Sequence, residues 1–350
     1  MKVLVTGGCG FLGSNIASFY LDQGAEVFII DALFRLGSEK NKEWLNQKAA
    51  KNQLTIEEFD VANKIDVEHF FKTHGRFDRI AHLAGQVAMT TSMTDPYRDF
   101  LTNVVGTFNI LEATRHFSPD ATLIYSSTNK VYGELKNLVF IEEETRFVAP
   151  DYPRGLDETY PLDFSSPYGC SKGAADQYMR DWHRNFGLKT IVFRHSSIFG
   201  GRQFSTFDQG WVGWFIAQAL EQEKRMKDGL SIDSFTIAGN GKQVRDVLHA
   251  EDLVRLYHQA FEIGDKIQGE IFNIGGGMDN SLSLLELFHY LEEILKVKLL
   301  YKSLEWRHSD QKIFVADIGK VKNLIQWSPQ LSKNDGIVKQ LVWIKNQHQI

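Results

Sequence analysis

Two cysteines, Cys9 and Cys170, are all that the 350 residues contain. That is too few for a disulfide framework, and both read as free thiols of a reducing compartment. Positive charge is not in excess either: 39 Lys and Arg stand against 44 Asp and Glu, and the net charge of -5 leaves no basic face for a nucleic acid. The same balance makes the chain a poor general anion trap, so a phosphate must be held by a few local groups. No apolar run approaches the roughly 18 residues that a spanning helix needs. The short run Val3-Leu4-Val5 leads into glycines rather than a signal-peptide cleavage site, so a cytoplasmic protein without a membrane segment is expected. The 11 histidines are scattered without ligand spacing, and no metal is expected. Internal repeats and low-complexity tracts are also missing.

What is present is a rhythm. Short β-rich runs at residues 2–6, 26–30, 54–59, 79–83, 121–126 and 189–194 alternate with helical patterns, two of them at 11–23 and 168–186. Continuous apolar strands interleaved with helices predict an α/β fold, a doubly wound parallel sheet covered on both faces. From about Ser196 the rhythm breaks, and strand-like pieces such as 270–274 separate later helices. The expectation is a sheet domain over 1–195 and a smaller substrate-binding lobe over 196–350, interleaved with the sheet rather than following it cleanly.

The first turn reads Thr6-Gly7-Gly8-Cys9-Gly10-Phe11-Leu12-Gly13, a G-x-x-G-x-x-G spacing between a strand and a helix. Gly7 permits the tight turn, Gly10 lets backbone approach a pyrophosphate, and Gly13 lets the helix lie close on the sheet. The free N–H groups and dipole at the start of the helix then favour phosphate, which makes this a Rossmann dinucleotide site. Asp31 ends the second strand, where a carboxylate accepts ribose hydroxyls and repels a 2′-phosphate. NAD is therefore expected over NADP, although Arg35 nearby argues the other way.

Tyr168 and Lys172 lie four apart on a helix and share a face. Upstream, Tyr125-Ser126-Ser127-Thr128 closes a strand. A tyrosine near pKa 10 is a poor base at neutral pH. An adjacent ammonium and the positive nicotinamide ring of bound NAD both favour the phenolate, and the Thr128 hydroxyl is placed to hold a substrate hydroxyl. A Y-x-x-x-K pair alone also fits a solvated helix face. Glycine loop, strand-end hydroxyl and Tyr/Lys helix in this order favour Thr128, Tyr168 and Lys172 as a catalytic set, with Cys170 a small spacer.

The succession TGGCGFLG, HLAGQ, YSSTNKVYG, SPYGCSK and VRDVLHAEDL resembles the extended short-chain dehydrogenase/reductases that modify nucleotide sugars, from Met1 to about Trp327. The resemblance implies NAD held as a temporary hydride acceptor. It places the cofactor on Gly7, Gly10, Phe11, Leu12 and Asp31, on Asp60 and Val61 (Asp60 also suits a helix N-cap), and on Leu83, Ala84, Gly85, Asn103 and Ser126. Tyr168, Lys172 and His195 complete that set, His195 being open to a second reading as a satisfied core histidine. Residues 193–197, 200–204 and 208–215, with Asn129-Lys130-Val131-Tyr132-Gly133, are similar to the branch that inverts C2 of a CDP-linked deoxyhexose or hexose. That similarity implies substrate contacts at Thr128, Lys130, Ser197, Arg202, Gln209, Trp211 and Val212, and diphosphate contacts at Arg245 and Arg307. Either arginine also fits a surface ion pair. The related 4,6-dehydratases carry Asp-Glu where this chain has Asn129-Lys130, which cannot serve as their acid/base pair. A UDP-sugar 4-epimerase remains the main rival, and a non-catalytic NAD-binding regulator the rival of another class. The resemblance further implies a homo-oligomer.

Overall fold

The structure, a computed structural model, describes residues 1–306 and 310–348. Its centre is a sheet of seven strands: β1 (Lys2–Thr6), β2 (Glu26–Ile30), β3 (Leu54–Glu57), β4 (Arg79–His82), β5 (Thr122–Thr128), β6 (Lys189–His195) and β7 (Ile271–Ile274). They run in the order β7-β6-β5-β4-β1-β2-β3, every neighbour parallel. Successive side chains of a strand point to opposite faces, and here both faces are dry. Val3, Val5, Ile29 and Phe193 pack on one side with Ile16, Leu253 and Tyr257. Leu4, Phe28, Ile80 and Leu123 pack on the other with Phe70, Ile110 and Met179. The strand order reverses between β1 and β4, and ligands bind where such a sheet opens beyond its carboxyl ends.

Two stretches differ from the sequence expectation. Residues 270–274, read as part of the lobe, form the edge strand β7, paired in parallel with β6 from Ile271↔Val192 to Ile274↔His195. Four buried side chains, Ile271, Phe272, Asn273 and Ile274, do not reveal which sheet a strand joins; pairing to β6 decides it. The irregular region after Gly200 contains a 17-residue helix, Trp211–Lys227. Its apolar side meets helices Leu284–Leu295 and Lys333–His348 in a second core around Phe215, Phe288 and Leu341. The strand Val244–His249 joins this lobe to the sheet end by pairing with Ser197–Phe199 and Ser281–Ser283. No helix among the described residues is long and apolar enough to cross a membrane.

His82 sits wholly inside the sheet. His82 Nδ1 meets Thr6 Oγ1 at 2.6 Å and Nε2 meets Thr107 Oγ1 at 3.0 Å. Burial, and then the charge of Lys172, pushes its pKa down to about 3. The unfolded chain binds the proton near 6.5 and the folded chain does not, so this contribution is present above that pH and is lost as pH falls below it. At about pH 5 the loss is about 2 kcal/mol. Asp246, held up to about 6 by burial, works in the opposite direction. Urea titrations at neutral and acid pH are expected to show His82→Gln less stable at pH 7 yet flatter in pH than the parent by that amount. Parallel pH slopes would refute the neutral buried imidazole.

Candidate active site

The loop after β1 turns at Gly7, whose φ is +69°, and a Cβ there would stand 2.8 Å from the Ala84 nitrogen beyond β4. At Gly13 a Cβ would stand 2.1 Å from the Gly7 oxygen, so helix and loop meet backbone to backbone. The helix Phe11–Asp22 begins at Gly10 with no side-chain cap, and its free N–H groups face a cavity of about 270 Å³. Following the strands that carry them, this cavity is lined by Asp31, Asp60 and Val61, then by Gly7, Gly10, Phe11 and Leu12 opposite Leu83, Ala84 and Gly85. Its other end is lined by Ser126, Thr128, Tyr168 and His195.

Asp31 is fixed by the N–H groups of Cys9 and Leu33, each at 2.8 Å, and burial pushes its carboxyl up. Asp60 accepts from the Ala62 N–H at 2.9 Å and is not the helix cap; Asn63 caps the helix Lys64–His74. Arg35 lines the same cavity, its charge faced by Asp208. His195 is half-satisfied: Nδ1 lies 3.1 Å from Ser126 Oγ, while the buried Nε2 has no hydrogen-bond partner among the described residues. Burial and the nearby Lys172 push its pKa down to about 3, so the ring is neutral.

At the Tyr168 end the expectation needs correcting. Tyr168 lies near the start of the helix Ser166–Phe186, its own N–H donating to Ser92 Oγ at 3.2 Å. Burial pushes its phenol up to about 12, against the hydrogen bond with Thr128. Lys172 does not line the cavity; its ammonium donates to the Ser126 carbonyl and stands 4.3 Å from the centre of the Tyr125 ring. Burial pushes Lys172 down to about 7, offset in part by Asp99 and Asp176. In the chain alone desolvation dominates both groups; the expected lowering of the phenol rests on Lys172 together with the positive nicotinamide ring of bound NAD.

Asn103 is a second correction. Its amide donates to Gln86 O at 3.1 Å, Asp99 Oδ1 at 3.3 Å and Ser171 Oγ at 2.9 Å, and accepts from the Gln86 N–H at 2.9 Å. With its polar atoms used internally, Asn103 backs the Gly85 wall instead of lining the cavity. Asp99 completes this cluster by accepting from Ser171 Oγ and from Gln86 Nε2. A carboxylate four residues before Asn103 is the only sequence signal for it.

A further network lies behind β5. Arg194 and Asp176 form a buried bidentate pair at 2.9 and 3.0 Å. Ser127 Oγ donates to Asp176 at 2.9 Å, Arg194 donates to Tyr132 Oη at 2.9 Å, and Tyr132 donates to Asn273 at 2.7 Å. The pair thus joins β5, β6, β7 and the Tyr168 helix one residue away from Thr128.

A second cavity, of about 240 Å³, adjoins the first on the lobe side and is lined by Lys130, Ser197, Trp211 and Arg245, with Asn129 and Asp310. Thr128 faces one cavity while Asn129 and Lys130 face the other. Trp211 Nε1 donates to Ser197 Oγ at 3.1 Å. Arg245 donates to Asp310 at 2.8 Å, and Lys130 lies 3.8 Å from the same carboxylate. Asp310 was not anticipated; its position three residues after Arg307 was the available clue. Of the other expected substrate residues, Arg202 and Gln209 line the first cavity. Val212 is buried in the lobe core and lines neither, because it falls on the apolar side of its helix. Arg307 lies outside the described residues.

NAD fits this arrangement. A backbone cradle stands in the middle, an anchored carboxylate at one end, and an orphaned ring nitrogen beside Tyr168 at the other, matching pyrophosphate, ribose hydroxyls and the reacting end of a dinucleotide. Fold and site together define a dinucleotide-dependent enzyme. The chain belongs to the NAD dependent epimerase/dehydratase family, which it matches over residues 3–275. It is 53% identical over 343 residues, 98% of this chain and 99% of the other, to a CDP-paratose 2-epimerase of Salmonella typhi. A UDP-glucose 4-epimerase structure from Thermotoga maritima with UDP-glucose superposes with TM-score 0.81 at 28% identity, covering 99% of this chain and 100% of that one. A UDP-glucuronic acid 4-epimerase from Bacillus cereus, in complex with UDP-glucuronic acid and NAD, gives TM-score 0.80 at 26% identity with the same coverage.

Proposed function

We propose that the chain inverts C2 of a CDP-linked deoxyhexose, CDP-paratose to CDP-tyvelose, using NAD that is reduced and reoxidised within one turnover. The observation that carries this reading is the 53% identity, over nearly the whole chain, to a protein named for that reaction. NAD, when bound, supplies the hydride acceptor and donor. Tyr168 takes the proton of the C2 hydroxyl, which Thr128 holds, and later returns a proton to the inverted oxygen. Lys172, fastened to the Ser126 carbonyl, holds the strand end against the helix and contributes positive charge. Arg245 and Lys130 hold the substrate's diphosphate in the second cavity.

The chemistry of the sugar restricts the site of oxidation. A ketone at C4 acidifies only C3 and C5 and leaves C2 untouched, whereas oxidation at C2 removes that stereocentre directly. Asn129 supports the absence of a dehydration step: its amide donates to Gln311 at 2.9 Å and cannot move protons at neutral pH. Proton NMR of the enzyme with CDP- and UDP-hexoses is expected to show inversion at C2 of a CDP-sugar, without solvent deuterium at C2 in heavy water. Inversion at C4 would instead make it a 4-epimerase, and deuterium at C2 would favour a C3 ketone with deprotonation at C2.

The rest of the reading follows from this activity. We take residues 1–195 as the cofactor half and 196–350 as the substrate half, in a cytoplasmic enzyme serving lipopolysaccharide O-antigen synthesis. Pairing of two chains through the helices Gly106–Phe117 and Ser166–Phe186 is supported by the exposed rings of Phe108, Tyr178 and Phe186 along them.

A further inference from the structure

Residues 200–208 follow the lobe strand Ser197–Phe199 yet cross back over the cofactor cavity. Two asparagines of the sheet domain grip the backbone of this stretch: Asn15 donates to Gly201 O at 3.0 Å and Asn41 to Arg202 O at 3.3 Å. Asn41 also donates to Cys9 O at 3.1 Å inside the glycine loop. Phe204 is so close to Gly37 that a Cβ on the glycine would stand 2.0 Å from the ring. At the far end, Asp208 accepts from Thr90 Oγ1 at 3.2 Å and from Thr206 Oγ1 at 2.6 Å, and its charge faces Arg35. The segment is therefore pinned on both sides of the cavity mouth.

Arg202 lies in the middle of this crossing with φ +70°, its guanidinium 4.0 Å from the centre of the Trp44 ring. It lines the first cavity, its Nε is buried without a hydrogen-bond partner, and no carboxylate pairs with it among the described residues. A planar cation stacked on an indole, aimed into a cavity and lacking a counter-ion, fits a phosphate. The second cavity, where the sugar nucleotide is proposed to sit, does not include it.

We propose that residues 200–208 fasten the cofactor in place and that Arg202 binds the phosphates of NAD rather than the substrate. This rests on NAD occupying the first cavity. A reaction that returns its hydride has no need of cofactor exchange, and a fastening made by the lobe keeps the reduced cofactor and the oxidised sugar in one enclosure.

The test compares the parent with Arg202→Ala and with Asp208→Asn, a near-isosteric change at the far anchor. NAD content after desalting, NAD release rate, melting temperature and KM for the CDP-sugar at saturating NAD are measured for each. The parent is expected to retain NAD. Both variants are expected to release it at least about 10-fold faster, and Arg202→Lys to recover part of the retention by restoring charge without the stack. Parent-like NAD release in Arg202→Ala, with the KM of the CDP-sugar raised at least about 10-fold, would return Arg202 to the substrate and overturn the proposal. If Arg202→Ala fails to fold, parent-like release in Asp208→Asn overturns the fastening by itself. A parent that binds no NAD at all would overturn the cofactor reading on which the proposal rests.

Discussion

Tyr168→Phe is expected to lower kcat by about 10³-fold, within the range for loss of a positioned acid/base, while NAD content and melting temperature stay close to the parent's. The phenol stands at the cavity beside the Thr128 hydroxyl and the neutral His195. Its pKa of about 12 in the chain alone keeps it protonated until NAD is bound. It becomes a base only when positive charge is added nearby, from the nicotinamide ring and from Lys172. Lys172, at about 7, titrates in the working range, so activity is expected to fall on the alkaline side as Lys172 loses its charge. Phenylalanine retains the ring and its packing and removes only the proton carrier. Undiminished turnover would revive the reading of a non-catalytic NAD-binding regulator.

The second large effect is on stability. Asp176→Ala is expected to cost about 3–5 kcal/mol, a large share of the roughly 5–15 kcal/mol by which a folded chain is stable. Arg194 is 3% exposed in its side chain and Asp176 fully buried. A guanidinium cannot shed its proton to escape the missing partner. Ser127 loses its acceptor at the same time, which loosens the strand end bearing Thr128, so kcat should fall with stability. The double variant Asp176→Leu with Arg194→Met removes both charges and is expected to recover at least about half of the loss. Equilibrium urea unfolding of the three proteins decides it. A deficit under about 1 kcal/mol for Asp176→Ala, the range of solvated surface pairs, would mean that water reaches the pair.

How much of this could be read in advance depended on whether the signal was local. Six strands stood close to their expected places because each is a short apolar run bounded by glycine or charge, as in KVLVT and EVFII. Two of them, β1 and β2, matched to the residue. The glycine loop was legible because three small residues at fixed spacing have a mechanical reason. The assignment of β7 was not legible, since it depends on a pairing across some 80 residues of chain. The position of Arg202 was hidden for a related reason. Its partner Trp44 is the sole aromatic residue in the polar helix Ser38–Lys48, and nothing near either residue announces the other. The desolvation of Tyr168 and Lys172 was not legible either, because it depends on burial, which spacing along one helix does not report.

β7 ties the lobe to the sheet. It lies beyond β6 at the sheet edge but is supplied by the segment that follows the lobe helix Trp211–Lys227. A fragment ending near residue 195 would present β6 with a bare row of backbone donors and acceptors, an adhesive edge for other chains. The lobe therefore cannot be swapped as a cassette: a graft meant to alter sugar or base preference has to bring an edge strand that suits β6, or begin and end on either side of residues 271–274. Changes of specificity in this scaffold are more readily made by point substitutions around the second cavity than by exchange of whole segments.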